Sequence, residues 1–296
     1  MADQPIPAAA SPNSAAPERG AGQSRFPAQG VPVIHRINRL GLWTLYLKEV
    51  RRFFKVQTQT IWAPAITTLL YLMVFTVALG SGGRQVLGTN FATFVAPGLI
   101  VMGMITNAFA NTSFNLLGGK IQGTIVDYLM PPISNGELML GLIAAALTRA
   151  VLVGLAIALA MAFFPGIDLT VRHPWAVVWF GLMGSVLLAV IGLYTSMWAE
   201  KFDHASLVTN FVVTPLTMLS GTFYVIDNLH PVFQSISRAN PFFYVISGFR
   251  FGFLGQSDIG ATNAAVMNGA IYLGVLNLVL GWGLYALFKS GWKLKS

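Results

Sequence analysis

The sequence predicts an all-α integral membrane protein with six transmembrane helices. Three observations carry that expectation. Of the 296 residues, 55% are hydrophobic and only 9% charged. Apolar runs from Ile61 onward reach the ~20 residues that a hydrocarbon layer about 30 Å thick demands of a helix. The basic residues gather beside those runs on one side. A segment in lipid must satisfy its own backbone hydrogen bonds, so runs of that length read as helices.

Residues 1–33 are rich in Ala, Pro, Ser and Gly and contain no apolar stretch, which predicts a disordered tail. Residues 34–57 follow as an interfacial amphipathic helix: at 100° per residue Lys48, Arg51, Arg52 and Lys55 fall on one side, with Trp43, Tyr46, Leu47, Val50, Phe53 and Phe54 opposite. Residues 58–296 hold six apolar segments, near 59–80, 91–117, 138–163, 175–199, 205–226 and 264–288. Pro64, Pro97 and Pro215 lie inside them and predict kinks, since neighbouring helices can resatisfy the freed carbonyls.

Orientation follows from Lys and Arg near the spans. Arg36, Arg39, Lys48, Arg51, Arg52, Lys55, Lys120, Lys201, Lys289, Lys293 and Lys295 fall on one side, against Arg84, Arg172, Arg238 and Arg250 on the other. Both termini and the 118–137 loop are therefore expected in the cytoplasm. The net charge of +8 sits beside spans rather than along one face, which suits anionic lipid headgroups and not nucleic acid.

Several chemistries are excluded or disfavoured. With no cysteine there is no disulfide or thiolate site, and His35, His173, His204 and His230 are scattered, so no metal site is expected. No GxxxxGK[ST] phosphate loop occurs; Gly118-Gly119-Lys120 lacks both the hydroxyl residue and the spacing. The chain is thus expected not to hydrolyse ATP itself. The carboxylates fall in tails, loops or span ends, which disfavours a proton-coupled transporter and a lipid-modifying enzyme.

Four features remain as site candidates. Arg149 is the one charge well inside a span, marking either a functional site or a side chain that snorkels or bonds a neighbouring carbonyl. Asn107, Asn111 and Asn115 recur every four residues on the second span, and Asn210, Thr214, Thr217 and Gly221 form a stripe on the fifth. Such stripes either bond helix to helix or line a substrate path. The loop KIQGTIVDYLMPPISNGE, 120–137, contains a helix-like piece with Ile121, Ile125, Tyr128 and Leu129, suited to a groove on a soluble protein or to the membrane surface. In the outer segment 227–262, the apolar run 241–254 is too short to cross, predicting an interfacial or re-entrant hairpin. Phe242, Phe243 and Tyr244, with Phe223 and Tyr224, would form an outer aromatic belt.

These pieces resemble a known family, the bacterial ABC type-2 permeases, and in particular the YadH-like subgroup related to nodulation-factor and daunorubicin-resistance permeases. The resemblance covers roughly residues 38–296. It rests on FVAPGLIVMGMITNAFANTSF ending at Phe114, the 120–137 loop, FDHASLVTNFVVTPLTMLSGTFY (202–224) and NPFFYVISGFRFGFLG (240–255). The last carries a P-F-x-Y-x5-R pattern as Pro241, Phe242, Tyr244 and Arg250.

The resemblance implies the ABC type-2 exporter fold, with a coupling helix between spans two and three and outer re-entrant helices before span six. It implies a permease in the bacterial inner membrane, paired with itself and with two ATPase subunits that bind ATP and Mg. Ile125, Asp127, Tyr128 and Leu129 would then sit near the ATPase groove. Asn107, Asn111, Asn210, Thr214 and Thr217 would face the substrate path. The expected cargo is an amphipathic, lipid-linked, glycan or drug-like molecule moved outward. An independent secondary transporter or channel is the alternative.

Overall fold

The computed structural model describes residues 38–79, 85–164, 166–226, 229–260 and 262–293. The predicted tail, 1–33, and Arg36, Arg84 and Lys295 of the charge count lie outside the described residues.

Helix α1 (Arg39–Phe54) starts at Asn38, whose side chain accepts from the Gly41 amide at 2.9 Å. It runs beside the first half of α5 (Asn135–Ala162). Asn38 N–H donates to the Glu137 carboxylate, Leu45 packs on Gly141, and the Tyr46 hydroxyl meets Thr148 Oγ1 at 2.9 Å. The helix is amphipathic as expected, but its buried edge is Leu45, Glu49 and Phe53, while Trp43 and Phe54 are exposed. That edge is rotated from the predicted one and includes a carboxylate.

Two of the three intramembrane prolines have the same local solution. A wide π turn, Thr58–Trp62, precedes α2 (Ala63–Leu79), and a second, Thr209–Val213, joins α7 (Phe202–Val208) to α8 (Thr214–Met218). Each wide turn sits where Pro64 or Pro215 would drive its ring into the carbonyl four residues earlier. Pro97 instead lies inside the continuous α3 (Phe91–Ile121).

A two-stranded ribbon, β1 (Gln85–Val86) and β2 (Thr89–Asn90), precedes α3. Its turn residues, Leu87 and Gly88, both have positive φ, as a two-residue hairpin of this hand requires.

At 31 residues, α3 is about 46 Å long and forms the axis of the bundle. Of its most apolar window 83% is buried, against 17% for Thr58–Ala78 and 22% for Asn263–Ser290, so those two helices stand at the flanks. The tightest approach is to α6 (Pro174–Trp198). A Cβ on Gly192 would lie 2.1 Å from Thr112 Oγ1 and 2.7 Å from the Phe109 carbonyl oxygen. Small residues let membrane helices pack at this range. Gly192→Ala is expected to cost about 1–3 kcal/mol through backbone displacement, read as a lowered Tm in detergent; an unchanged Tm would show that α6 can shift freely.

Lys120, near the end of α3, closes the end of α6, its Nζ donating to the carbonyls of Ser196, Met197 and Ala199 at 3.3, 2.9 and 2.9 Å. Helix α5 opens with a capping box between Ser134 and Glu137.

Five helices are long and apolar enough to cross a membrane: Thr58–Ala78, Phe91–Ile121, Asn135–Ala162, Pro174–Trp198 and Asn263–Ser290. The predicted fifth segment, 205–226, differs. Its helix ends at Met218 and the chain turns through Gly221, where φ is +75°. Apolar composition continues past that point, but the helix does not.

Two helices fill the region predicted to be re-entrant, α9 (Pro231–Ala239) and α10 (Pro241–Leu254), before α11 (Asn263–Ser290). Helix α10 packs among α3, α6 and α11. Phe242 and Phe243 are buried, so the expected outer aromatic belt is in large part core.

Candidate functional site

Two hollows with polar groups in their walls lie along α3, one against α2 and the other against α1 and α5. The upper, about 330 Å³, is lined by Gln59, Thr67, Thr68, Tyr71, Thr106 and Asn107. The lower, about 230 Å³, is lined by Arg52, Thr60, Asn111, Asn115 and Arg149, with Phe53 and Phe114 among its walls. Helix α3 supplies both through the every-fourth-residue stripe of Asn107, Asn111 and Asn115.

The structure joins two features that the sequence left separate. Arg149 Nη2 donates to Asn107 Oδ1 at 2.9 Å, while Asn107 Nδ2 donates back to the Gly103 carbonyl of its own helix at 3.0 Å. A side-chain amide, rather than a carboxylate or a main-chain carbonyl, is therefore the partner of Arg149. The lower hollow also contains Arg52 from the last turn of α1 and Thr60 from the foot of the Thr58–Ala78 span. Arg149 thus shares a hollow with the basic last turn of α1, although it lies midway along α5.

Below this groove lies a buried polar knot. Glu49 is 1% exposed. Its carboxylate accepts from Asn115 Nδ2 and from the Tyr128 hydroxyl (2.8 Å), and it pairs with Arg52 at 3.0 Å. Tyr128 also reaches Asn115 Oδ1 at 3.3 Å, and Lys48 Nζ stands 3.9 Å over the Tyr128 ring. Burial, reinforced by the Glu49 carboxylate, pushes the Tyr128 phenol well above its ordinary pKa, so it remains a protonated donor. Three elements meet here: α1, α3 and the one-turn α4 (Val126–Leu129).

The predicted loop cluster divides accordingly. Ile125 and Tyr128 face inward, whereas Asp127, Leu129, Val126 and Met130 are exposed. Beside them a hollow of about 320 Å³ runs between α1 and α4, lined by Thr44, Lys48, Asp127, Tyr128, Pro131 and Ile133. Glu49 is not among the residues that the sequence singles out; its signal there is its place between Leu45 and Phe53 at i, i+4, i+8, one carboxylate on an otherwise apolar edge.

The second predicted stripe does not join the first. Thr217 is fully buried, its hydroxyl bonding the Thr214 carbonyl at 2.8 Å, while Asn210 is exposed.

The Pro241, Phe242, Tyr244 and Arg250 motif is a packing device. Asn240 caps α10 by accepting from Phe242 N–H at 3.0 Å, with Pro241 at the first helical position, where no amide partner is needed. Tyr244 stands against Tyr272 of α11, ring centroids 4.8 Å apart. Arg250 was counted among the outer charges but is fully buried, 3.0 Å from Asp258 and within hydrogen-bond range of the Phe94, Gly221 and Thr222 carbonyls. Among the described residues, no three His, Cys, Asp or Glu side chains gather as metal ligands.

Five apolar helices of membrane-crossing length define a multi-pass membrane protein. Residues 41–254 match the ABC-2 type transporter family, and the chain belongs to it. It is similar to the inner membrane transport permease YadH of Escherichia coli (strain K12), 37% identical over 74% of this chain and 85% of that protein. It is also similar to nodulation protein J of Rhizobium leguminosarum bv. viciae, 25% identical over 86% of this chain and 92% of the relative. Permeases of this family are membrane components of ABC transporters and work with separate ABC ATPase subunits. A multi-pass location in the inner membrane follows.

Proposed function

We propose that the chain is the permease subunit of an ATP-driven exporter that moves an amphipathic, lipid-linked, glycan or drug-like substrate out of the cytoplasm. It acts as a homodimer with two copies of an ATPase subunit, which binds ATP and Mg, while anionic lipids surround its basic end. Both termini and α4 face the cytoplasm, consistent with the Lys and Arg distribution. The Phe202–Met218 segment, fifth in chain order, makes a shortened crossing that brings the number to six, and α9 with α10 re-enters from the outer side.

The observation that carries this reading is the Glu49, Asn115 and Tyr128 knot, because it ties the exposed coupling turn to the helix that lines the groove. ATP-driven closure of the ATPase dimer presses on α4. The hydrogen bonds of Tyr128 transmit that displacement to α1 and α3, and the groove helices move as packed bodies rather than bending. The exposed Asp127, Leu129 and Met130, with the hollow beside α1, form the docking contact.

Mass spectrometry of the complex purified in mild detergent from its native host is the test. An ATPase subunit is expected one for one with this chain, and Leu129→Arg with Met130→Asp is expected to reduce it about tenfold. Recovery of the chain alone after gentle crosslinking would overturn the reading in favour of an independent secondary transporter or channel.

A further inference from the structure

The lower hollow has an electrostatic imbalance that the protein leaves uncorrected. Two guanidiniums line it, and the one carboxylate nearby, Glu49, already serves Arg52, Asn115 and Tyr128. Among the described residues Arg149 makes no ion pair, and its buried Nε has no hydrogen-bond partner. Asn111 is 3% exposed, and its buried Oδ1 likewise has no partner. Arg149 is half-buried, and a guanidinium held partly out of water without a counter-charge is costly, while buried polar atoms are normally satisfied. Those two atoms are themselves closed off, but the hollow is lined by two guanidiniums that share one engaged carboxylate, and that excess of positive charge points to an anionic ligand.

We propose that this hollow binds a phosphate-class anion, the headgroup of an amphiphile entering the groove. This rests on reading the groove as the transport path. The guanidinium fork of Arg149 suits two oxygens of a phosphate, and Arg52 supplies a second charge without giving up Glu49. The Asn111 amide nitrogen offers N–H donors to the anion. Phe53, Val56 and Phe114 give the hollow apolar walls against which the first carbons of a chain can lie. Thr60, in the first turn of the Thr58–Ala78 span, and Arg52, in the basic last turn of α1, form one side of the hollow and would meet an anionic headgroup first. Asn115 belongs both to this hollow and to the knot, so an occupied site shares a residue with the coupling turn.

The test uses the full-length chain in detergent, titrated with dioleoylphosphatidylglycerol or dioleoylphosphatidylcholine, with retained lipid counted by native mass spectrometry. Retention of the anionic lipid is expected to exceed that of the zwitterionic one about tenfold and to fall about fivefold in Arg149→Gln and threefold in Asn111→Ala. Lys55→Gln, at the exposed C-terminal cap of α1, should change it less than about twofold. If inorganic phosphate displaces the anionic lipid from the wild type, the phosphate group itself is what the site reads. If it does not, the headgroup is bound together with its chain. Either result supports the site. Equal retention of both lipids by the wild type would overturn it, as would unchanged anionic-lipid retention in the two variants. Should Arg149→Gln fail to fold, Asn111→Ala decides. Neither arm needs an ATPase, so failure here is distinct from failure of the exporter reading.

Discussion

Arg250→Met is expected to cost about 3–5 kcal/mol and to abolish the monodisperse peak of the protein in detergent. The side chain is 0% exposed and stands 3.0 Å from Asp258. It also donates to Phe94 O from Nε at 3.2 Å, and to Gly221 O and Thr222 O from Nη2 at 2.8 and 3.1 Å. The Phe94 ring lies 3.9 Å beneath the guanidinium carbon. A methionine can fill the volume but leaves a buried carboxylate and three carbonyls without these partners. Adding Asp258→Asn should restore only part of the loss, because the carbonyls remain unsatisfied. Thermal unfolding followed by size exclusion separates the cases. A single variant melting within a few degrees of wild type would show that Arg250 does not hold this region together, and a fully restored double variant would reduce its role to the ion pair.

The same contacts explain which parts of the fold were legible in the sequence. Five spans could be read because length and apolarity are local properties set by the thickness of the solvent. The fifth predicted segment was overextended because hydropathy runs on through Leu219 to Ile226, while the helix stops at Met218. That break frees the carbonyls of Gly221 and Thr222, and irregular backbone within a membrane bundle persists only where other groups satisfy it. The satisfying group, Arg250, is about thirty residues away, a distance at which composition is silent.

The candidate site shows the same division. Asn107 and Arg149 were each marked by their chemistry, one as part of a stripe and the other as an isolated charge. Only the packing of α3 on α5 shows that they are partners. Glu49 was passed over because a carboxylate in a basic amphipathic helix reads as solvated. Its burial depends on Tyr128 and Asn115 arriving from two other elements.

Glu49→Ala is expected to uncouple ATP hydrolysis from transport in the reconstituted complex, lowering transport per ATP about tenfold or more, while the ATPase subunit still copurifies one for one. The variant leaves the surfaces of Leu129 and Met130 intact, so docking survives. What it removes is the acceptor through which α1 holds both α4 and α3, leaving only the longer Tyr128 to Asn115 bond of 3.3 Å between α4 and α3. Tyr128 and Asn115 then hold buried donors without that acceptor, at about 1–3 kcal/mol. Arg52, 42% exposed, can turn to water and adds little to the cost. Tyr128→Phe removes one donor and keeps the ring under Lys48, so its uncoupling should be weaker. Glu49→Gln keeps an acceptor but not the charge and should fall between the two. This order distinguishes transmission from stability, because a merely destabilised permease would lose transport and ATPase activity together at unchanged ratio. Parallel loss in all three variants would assign the knot to folding alone, whereas hydrolysis that continues without transport, worst in Glu49→Ala, would assign it to the stroke.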